Sequence, residues 1–207
     1  MEAKVFIVLS RALLVVSLLH LYPQSVESVA INVPENQCKK GFKPSTSPNF
    51  LKEDKNIDVR NIIRADENPV YKGKELIAAG VQKTPNIAHS EFLLMNPPDN
   101  SPLTRLLNTR KNGCVVFYTL NSPCMNTCLR GKYKITGGLD KLKAYKGIKA
   151  FAFKNIWNPD QNRPDELREK LKVIASRIPL YRCNGNTCTL CGEQRSNTEI
   201  NETCLNG

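Results

Sequence analysis

Two short motifs in this chain carry side chains that can act together only if the fold brings them into contact. His89 and Glu91 stand two residues apart, and Cys124 and Cys128 follow directly behind Pro123. A catalytic zinc ion usually takes three nitrogen, sulfur or oxygen ligands from the protein and leaves its fourth position to water. The motifs therefore predict that the chain folds to place His89, Cys124 and Cys128 around one Zn²⁺ ion.

The local sequence favours the start of a helix at each motif. Ser122 and Pro123 form a cap-and-proline signal, which predicts a helix beginning at the cysteine pair. Cysteines four residues apart lie on one helical face, and the partial positive charge at a helix start favours thiolates. Glu91 is predicted to move protons without binding the metal, which is the role of the glutamate in zinc deaminases.

The competing interpretation is that both cysteines form disulfides. The chain has 8 cysteines, an even number, so all of them could pair. Against this, the chain has 2 histidines, and the other one, His20, lies in an N-terminal segment that we expect to be removed. His89 then has no competitor as the nitrogen ligand, and we favour the zinc site.

A secretory signal peptide is predicted over residues 1–28. A short basic start precedes apolar residues from 5 to 21, and Val26 and Ser28 fit a cleavage site. The alternative, an uncleaved membrane anchor, needs ~20 apolar residues in a row, and this run is interrupted by serine and arginine. We therefore expect a secreted, extracellular protein without stable membrane association, whose mature chain starts near Val29.

Secretion also favours disulfides among the other cysteines. The disulfide candidates are Cys38, Cys114, Cys183, Cys188, Cys191 and Cys204, and their connectivity stays open. The C-x-x-C spacing at 188–191 lacks a second pair or a histidine, so we favour a disulfide there over a second zinc site or a redox motif. Asn201 begins a glycosylation sequon.

The net charge of +11 favours polyanionic partners such as nucleic acid, anionic membranes or sulfated glycans. Much of it lies just after the cysteine pair, against Asp140 alone: Arg130, Lys132, Lys134, Lys141, Lys143, Lys146, Lys149 and Lys154. A nucleic-acid strand passing the site would meet these charges first. The alternative is an ordinary solvated lysine surface.

Hydrophobic spacing predicts an α/β sandwich with helices packed on a mixed sheet. The predicted strands are 57–63, 75–81, 114–120, 148–153 and 178–181, and the predicted helices are 88–95, one from 101, one from the cysteine pair, 139–145 and 164–174. The predicted organisation is a signal peptide (1–28), an irregular arm (29–56), a zinc deaminase domain (57–182) and a Cys-rich tail (183–207).

From about residue 76 to 181 the chain resembles the AID/APOBEC-like polynucleotide deaminases. The resemblance rests on the segments 88–91 (AHSE), 114–120, 121–124 (NSPC) and 148–159. A signal peptide and extra cysteines resemble a secreted branch of that group best. The resemblance implies a cytidine-deaminase-like three-layer sandwich with about five strands. It also implies hydrolytic deamination, most often of cytosine to uracil.

The resemblance also implies substrate contacts. Asn121 stands where relatives often carry an aromatic residue of the base pocket, and Ser122 follows it. Trp157 lies in the loop that contacts the neighbouring nucleotide in relatives; its alternative role is a buried core anchor. The cysteine spacing, with three intervening residues, departs from the commoner spacing of two.

Three functions remain open from the sequence. The first is a secreted Zn²⁺-dependent hydrolase that converts cytosine to uracil in single-stranded DNA or RNA, with Glu91 as proton shuttle. The second is a deaminase of free nucleosides or nucleotides. The third is a non-catalytic polyanion-binding protein on a deaminase scaffold. Glu91 favours an enzyme, because a purely structural zinc site does not require it.

Overall fold

The computed structural model describes residues 27–38, 42, 47–184, 187–194 and 197–206. Most of the predicted signal peptide lies outside these residues, with Glu27 and Ser28 as the exceptions. Within the described residues, no helix combines the length and the hydropathy that crossing a membrane requires.

A seven-stranded mixed sheet forms the centre of the fold, with the strand order β2-β3-β1-β4-β5-β6-β7. Its strands are β1 (Ser28–Val33), β2 (Val70–Lys72), β3 (Leu76–Ala79), β4 (Cys114–Asn121), β5 (Ile148–Asn155), β6 (Leu180–Asn184) and β7 (Thr187–Gly192). β4, β5 and β6 run parallel, and the remaining pairs are antiparallel. The α/β class is confirmed, whereas the predicted count of about five strands is too low.

Among the described residues, five α-helices and one π-helical turn connect the strands. They are α1 (Asn56–Ile63), α2 (Ser90–Met95), α3 (Pro102–Thr109), the π-helical turn (Met125–Leu129), α4 (Thr136–Ala144) and α5 (Pro164–Ala175). α3 begins as its sequence predicts: the Ser101 side chain accepts a hydrogen bond from the Thr104 N–H, and Pro102 is the first helical residue.

Both faces of the sheet are covered, which gives the sandwich its layers. α2 to α5 pack on one face, where Leu94, Leu139 and Leu171 join Phe117 and Phe153 in one apolar cluster. The other face packs against α1 and the segments around Cys38 and Leu51, in a second cluster. Because both faces are buried, β4 reads as a nearly continuous apolar run.

The predicted irregular arm at 29–56 is wrong over its first residues. Residues Ser28–Val33 form β1, which pairs with β3 on one side and β4 on the other. Every residue of this strand is buried. The Pro-rich composition of the arm belongs to the residues that follow the strand. The boundary predicted between Ser28 and Val29 therefore falls inside a central strand.

Two further elements differ from the sequence interpretation. The segment predicted as a strand at 57–63 is helical, because Val59 and Ile63, four residues apart, are buried together while Ile57 and Ile62 are exposed. The boundary predicted at 182 falls inside β6. The following residues form β7 and complete a hairpin instead of a separate tail.

All six disulfide candidates are paired. The bonds are Cys38–Cys114, Cys183–Cys188 and Cys191–Cys204. The first links the segment after β1 to the start of β4. The other two fasten the β6–β7 hairpin and the C-terminal segment. Asn201 of the sequon is exposed beside Cys204, and its side-chain oxygen accepts hydrogen bonds from Thr203.

Candidate metal centre

The two motifs meet at the starts of two helical elements, as the sequence predicts. His89 is the N-cap residue of α2, and Cys124 is the N-cap residue of the π-helical turn that contains Cys128. β4 ends directly before the cysteine segment, and α2 packs against β1 and β3. The sheet thus sets the distance between the two motifs.

The donor atoms of His89, Cys124 and Cys128 all lie within 4.8 Å of one another. His89 Nδ1 is 3.6 Å from Cys124 Sγ and 3.3 Å from Cys128 Sγ. Ligands of one tetrahedral zinc ion have nitrogen and sulfur about 3.6 Å apart, given standard bond lengths. The two sulfurs are 2.8 Å apart, so they must separate by about 1 Å for tetrahedral binding. Imidazole with two thiols is a donor set suited to zinc.

The helix predicted to begin at the cysteine pair is a single π-helical turn, with Cys124 as its N-cap residue. The N–H of Arg130 bonds to the carbonyl of Met125, five residues back, as in a π-helix. The N–H of Cys128 bonds to the carbonyl of Cys124, four residues back, so both cysteines lie on the same side of the turn.

The two thiols share a proton. The hydrogen bond from Cys128 lowers the pKa of Cys124 to about 3, and His89 and Thr127 act in the same direction. The same contact raises the pKa of Cys128. The hydrogen bond with Cys124 also raises the pKa of His89. The contact therefore favours the thiolate form of Cys124, which is the form that binds a metal cation.

Glu91 is buried beside these groups and is held by two hydroxyls. Thr119 Oγ1 donates to Glu91 Oε1 at 2.9 Å, and Ser90 Oγ donates to Oε2 at 3.4 Å. Ser28 Oγ lies 2.8 Å from Ser90 Oγ and donates to Thr119 Oγ1 at 3.3 Å. Burial raises the pKa of Glu91. The carboxyl group is thus oriented, and it binds a proton more readily than an exposed glutamate does.

These hydroxyls were not found from the sequence. Ser28 was assigned to the signal peptide, and Thr119 was treated as one residue of an apolar strand. The signal was present in β4, where Thr119 is a buried polar residue in an otherwise apolar run. A buried hydroxyl needs a partner, which pointed to a polar neighbour.

The three predicted substrate residues differ in their placement. Trp157 is half-buried, and its ring centre lies 6.3 Å from that of His89. Asn121 is half-buried at the end of β4, opposite Asn155 of β5. Ser122 is buried, and its Oγ accepts hydrogen bonds from the Trp157 N–H and from Lys170. Its hydroxyl oxygen is therefore engaged by groups of the protein itself.

A second aromatic side chain borders the site. Tyr133 stacks on His89, with ring centres 5.9 Å apart. Its hydroxyl donates to the carbonyl of Ile87 at 2.5 Å, two residues before His89. Ile87 itself is exposed. In the sequence Tyr133 stands between Lys132 and Lys134, and its contact with His89 depends on the fold.

Two lysines of the basic run have partners within the protein. Lys141 forms an ion pair with Asp99, and Lys149 donates to the carbonyls of Lys143, in the last turn of α4, and of Tyr145. The residues nearest the site are exposed and flank Tyr133: Arg130, Lys132 and Lys134. Lys132 Nζ lies 5.6 Å from the centre of the Tyr133 ring. We call these three cations the basic rim.

Comparison with known proteins gives one match. The family model described as Secreted Novel AID/APOBEC-like Deaminase 1 matches residues 21–207. No curated protein matches, and no solved structure matches.

Proposed function

The chain belongs to the Secreted Novel AID/APOBEC-like Deaminase 1 family, and from this premise we propose that it is a secreted zinc-dependent hydrolase that converts cytosine to uracil. The substrate we propose is single-stranded DNA or RNA. The observation that carries the proposal is the buried Glu91 carboxyl group, held by two hydroxyls beside the His89, Cys124 and Cys128 donors. A purely structural metal site has no use for such a group.

His89, Cys124 and Cys128 would hold the zinc ion. Zinc, when bound, acidifies water and so supplies a nucleophile at neutral pH. Glu91 accepts the proton of the attacking water and passes it to the ring nitrogen of the base. Glu91 then takes the second proton, from the added hydroxyl group, and delivers it to the amino group; the C–N bond breaks, ammonia leaves and the oxygen remains as the carbonyl of uracil. Thr119 and Ser90 keep the carboxyl group oriented throughout.

Single-stranded nucleic acid fits the surroundings of the site. Trp157 and Tyr133 flank His89 with aromatic rings on which a base can stack. The basic rim lies beside Tyr133, where the phosphates of a bound strand would meet positive charge. A base that is already exposed also avoids the few kcal/mol needed to remove one from a duplex.

Two other functions are distinguished from this proposal by the experiment described below. A deaminase of free nucleosides would share the chemistry and would not depend on the basic rim. A non-catalytic polyanion-binding protein would use the basic rim and would not depend on Glu91. The three disulfides and the predicted signal peptide support an extracellular location for any of these functions.

The experiment uses the zinc-loaded, disulfide-bonded protein with single-stranded DNA, single-stranded RNA, duplex DNA, cytidine and deoxycytidine. Mass spectrometry detects the replacement of an amino group by oxygen. Glu91→Gln, checked for equal zinc content, is the control. We expect conversion of the single strands that disappears in the control. Conversion of nucleosides alone would select the second function. Strand binding without conversion, unchanged by Glu91→Gln, would select the third.

A further inference from the structure

A buried ion pair lies behind the metal centre. Lys170 on α5 has no exposed side-chain surface, and its Nζ lies 2.5 Å from Asp160 Oδ2; the Asp160 side chain is 3% exposed. Removing two charges from water costs several kcal/mol per ion, and apolar replacements of such pairs are often neutral or stabilising. A contribution to stability therefore does not explain why this ion pair is present. Its position in the fold suggests a different role.

The ion pair reaches the segment that leads to the cysteines. Lys170 Nζ donates to Ser122 Oγ at 3.1 Å, and Ser122 lies two residues before Cys124. The same Oγ accepts the N–H of Trp157 at 3.0 Å. The N–H of Ser122 in turn donates to the carbonyl of Asn155 at 2.7 Å. Two of these hydrogen bonds thus join the cysteine segment to residues 155–157, and the third joins it to α5.

The backbone of Trp157 is held on both sides by this network. Its N–H is bound by Ser122, and its carbonyl accepts the N–H of Asp160 at 2.8 Å. Asp160 also accepts from Arg163 Nη2 at 3.3 Å. The indole that this backbone carries has its ring centre 6.3 Å from that of His89. Lys170, Asp160 and Ser122 form what we call the Trp157 lock.

We propose that the Trp157 lock is a positioning device that fixes the indole beside the metal centre as one wall of the substrate site. Lys170 acts through Ser122 and Asp160 and is a positioning residue that does not touch the substrate. The consequence for activity rests on the proposed function; the position of the indole does not.

Trp157 is the one tryptophan of the chain, so its fluorescence reports the lock directly. The test compares the wild type with Lys170→Met and Ser122→Ala, both with Co²⁺ in place of zinc. The measurements are the emission maximum, quenching by acrylamide and quenching by the bound Co²⁺. We expect both variants to shift the emission to longer wavelength, increase quenching by acrylamide and decrease quenching by Co²⁺.

Two further variants separate positioning from stability. Lys172→Met removes an exposed ion pair from the same helix and should change none of these readings. Lys170→Met combined with Asp160→Leu leaves no unpaired buried charge. It should fold as stably as the wild type by thermal circular dichroism and still show the shifted fluorescence. If this charge-free variant has the fluorescence of the wild type, the proposal is wrong.

Kinetics supply the second readout. With a single-stranded oligonucleotide, the charge-free variant should raise KM about tenfold, the loss of one stacking contact, with kcat nearly unchanged. An equal fall in kcat without a change in KM would contradict a positioning role. If no substrate is converted by any form of the protein while the fluorescence shifts occur, the proposed function fails and the lock stands.

Discussion

The cysteines of this protein fall into two groups that sequence spacing alone does not separate. Cys183 and Cys188 are five residues apart and form a disulfide, whereas Cys124 and Cys128 are four apart and remain thiols. The first pair stands directly opposite on the β6–β7 hairpin. The second pair stands at a helix start facing His89. The neighbours of a cysteine pair, more than its spacing, therefore indicate whether it stabilises the fold or binds a metal.

The largest effect should come from removing one of the two free thiols. Cys128→Ser replaces a thiolate ligand with a hydroxyl that binds zinc poorly. We expect the metal content to fall from about one ion per chain to a small fraction, with deamination lost. Metal analysis after gel filtration measures this. The control, Cys183→Ala with Cys188→Ala, should retain its metal. An equal loss of metal in Cys128→Ser and in the double variant would contradict a metal-binding role that is specific to the free cysteines.

Glu91→Gln should separate chemistry from metal binding. The substitution keeps the size of the side chain and removes its capacity to accept a proton. Because Glu91 is not a ligand, we expect zinc content to stay the same while kcat falls about 10²–10⁴-fold. Metal analysis and steady-state kinetics on one preparation test both statements. A variant that loses its zinc would instead place Glu91 among the ligands.

Much of the candidate site could be predicted because its residues are rare and their chemistry fixes their spacing. His89 has no competitor as a nitrogen ligand in the expected mature chain, and Cys124 and Cys128 stand out among 8 cysteines by following the Ser122–Pro123 helix signal. The strands 114–120 and 148–153 were also predicted, since buried parallel strands are continuous apolar runs.

The failures occurred where local patterns are ambiguous or contacts are distant. Ile57 to Ile63 fits alternation and helical spacing about equally over so few residues, and burial of Val59 with Ile63 decided for a helix. β1 was missed because its partners, β3 and β4, lie far along the chain. The contacts of Tyr133 and Lys170 likewise depend on residues that only the fold brings near.

The disulfides should affect stability and leave the chemistry intact. Loop closure predicts losses of about 4–5, 3 and 2 kcal/mol in the free energy of unfolding. These values apply, in that order, to Ala replacement of Cys38–Cys114, Cys191–Cys204 and Cys183–Cys188, whose separations are 76, 13 and 5 residues. Urea unfolding gives the values. At urea concentrations below the unfolding midpoint of each variant, its kcat should equal that of the wild type. A different order would show that native contacts outweigh loop entropy.

Thr119→Val should give the smallest effect and is the strictest test, since Thr119 belongs to the buried core and to the site. Valine keeps the shape of threonine and removes the hydroxyl that donates to Glu91 Oε1. A hydrogen bond to a charged group contributes about 1.5–3 kcal/mol, so kcat should fall at least about tenfold. Stability should change little, because valine favours a buried strand and Glu91 becomes easier to protonate.

Thr189→Val on β7 provides the matched control, a threonine-to-valine change in a strand of the stapled hairpin. It should leave kcat unchanged. If Thr119→Val lowers the free energy of unfolding and leaves kcat unchanged, the hydroxyl stabilises the core and does not orient Glu91. If kcat falls at constant stability, the Thr119 hydroxyl orients the Glu91 carboxyl group and is not needed for the stability of the fold, since valine packs there equally well. The disulfide-bonded hairpin holds no carboxyl group of the site, so a threonine-to-valine change there should not lower kcat.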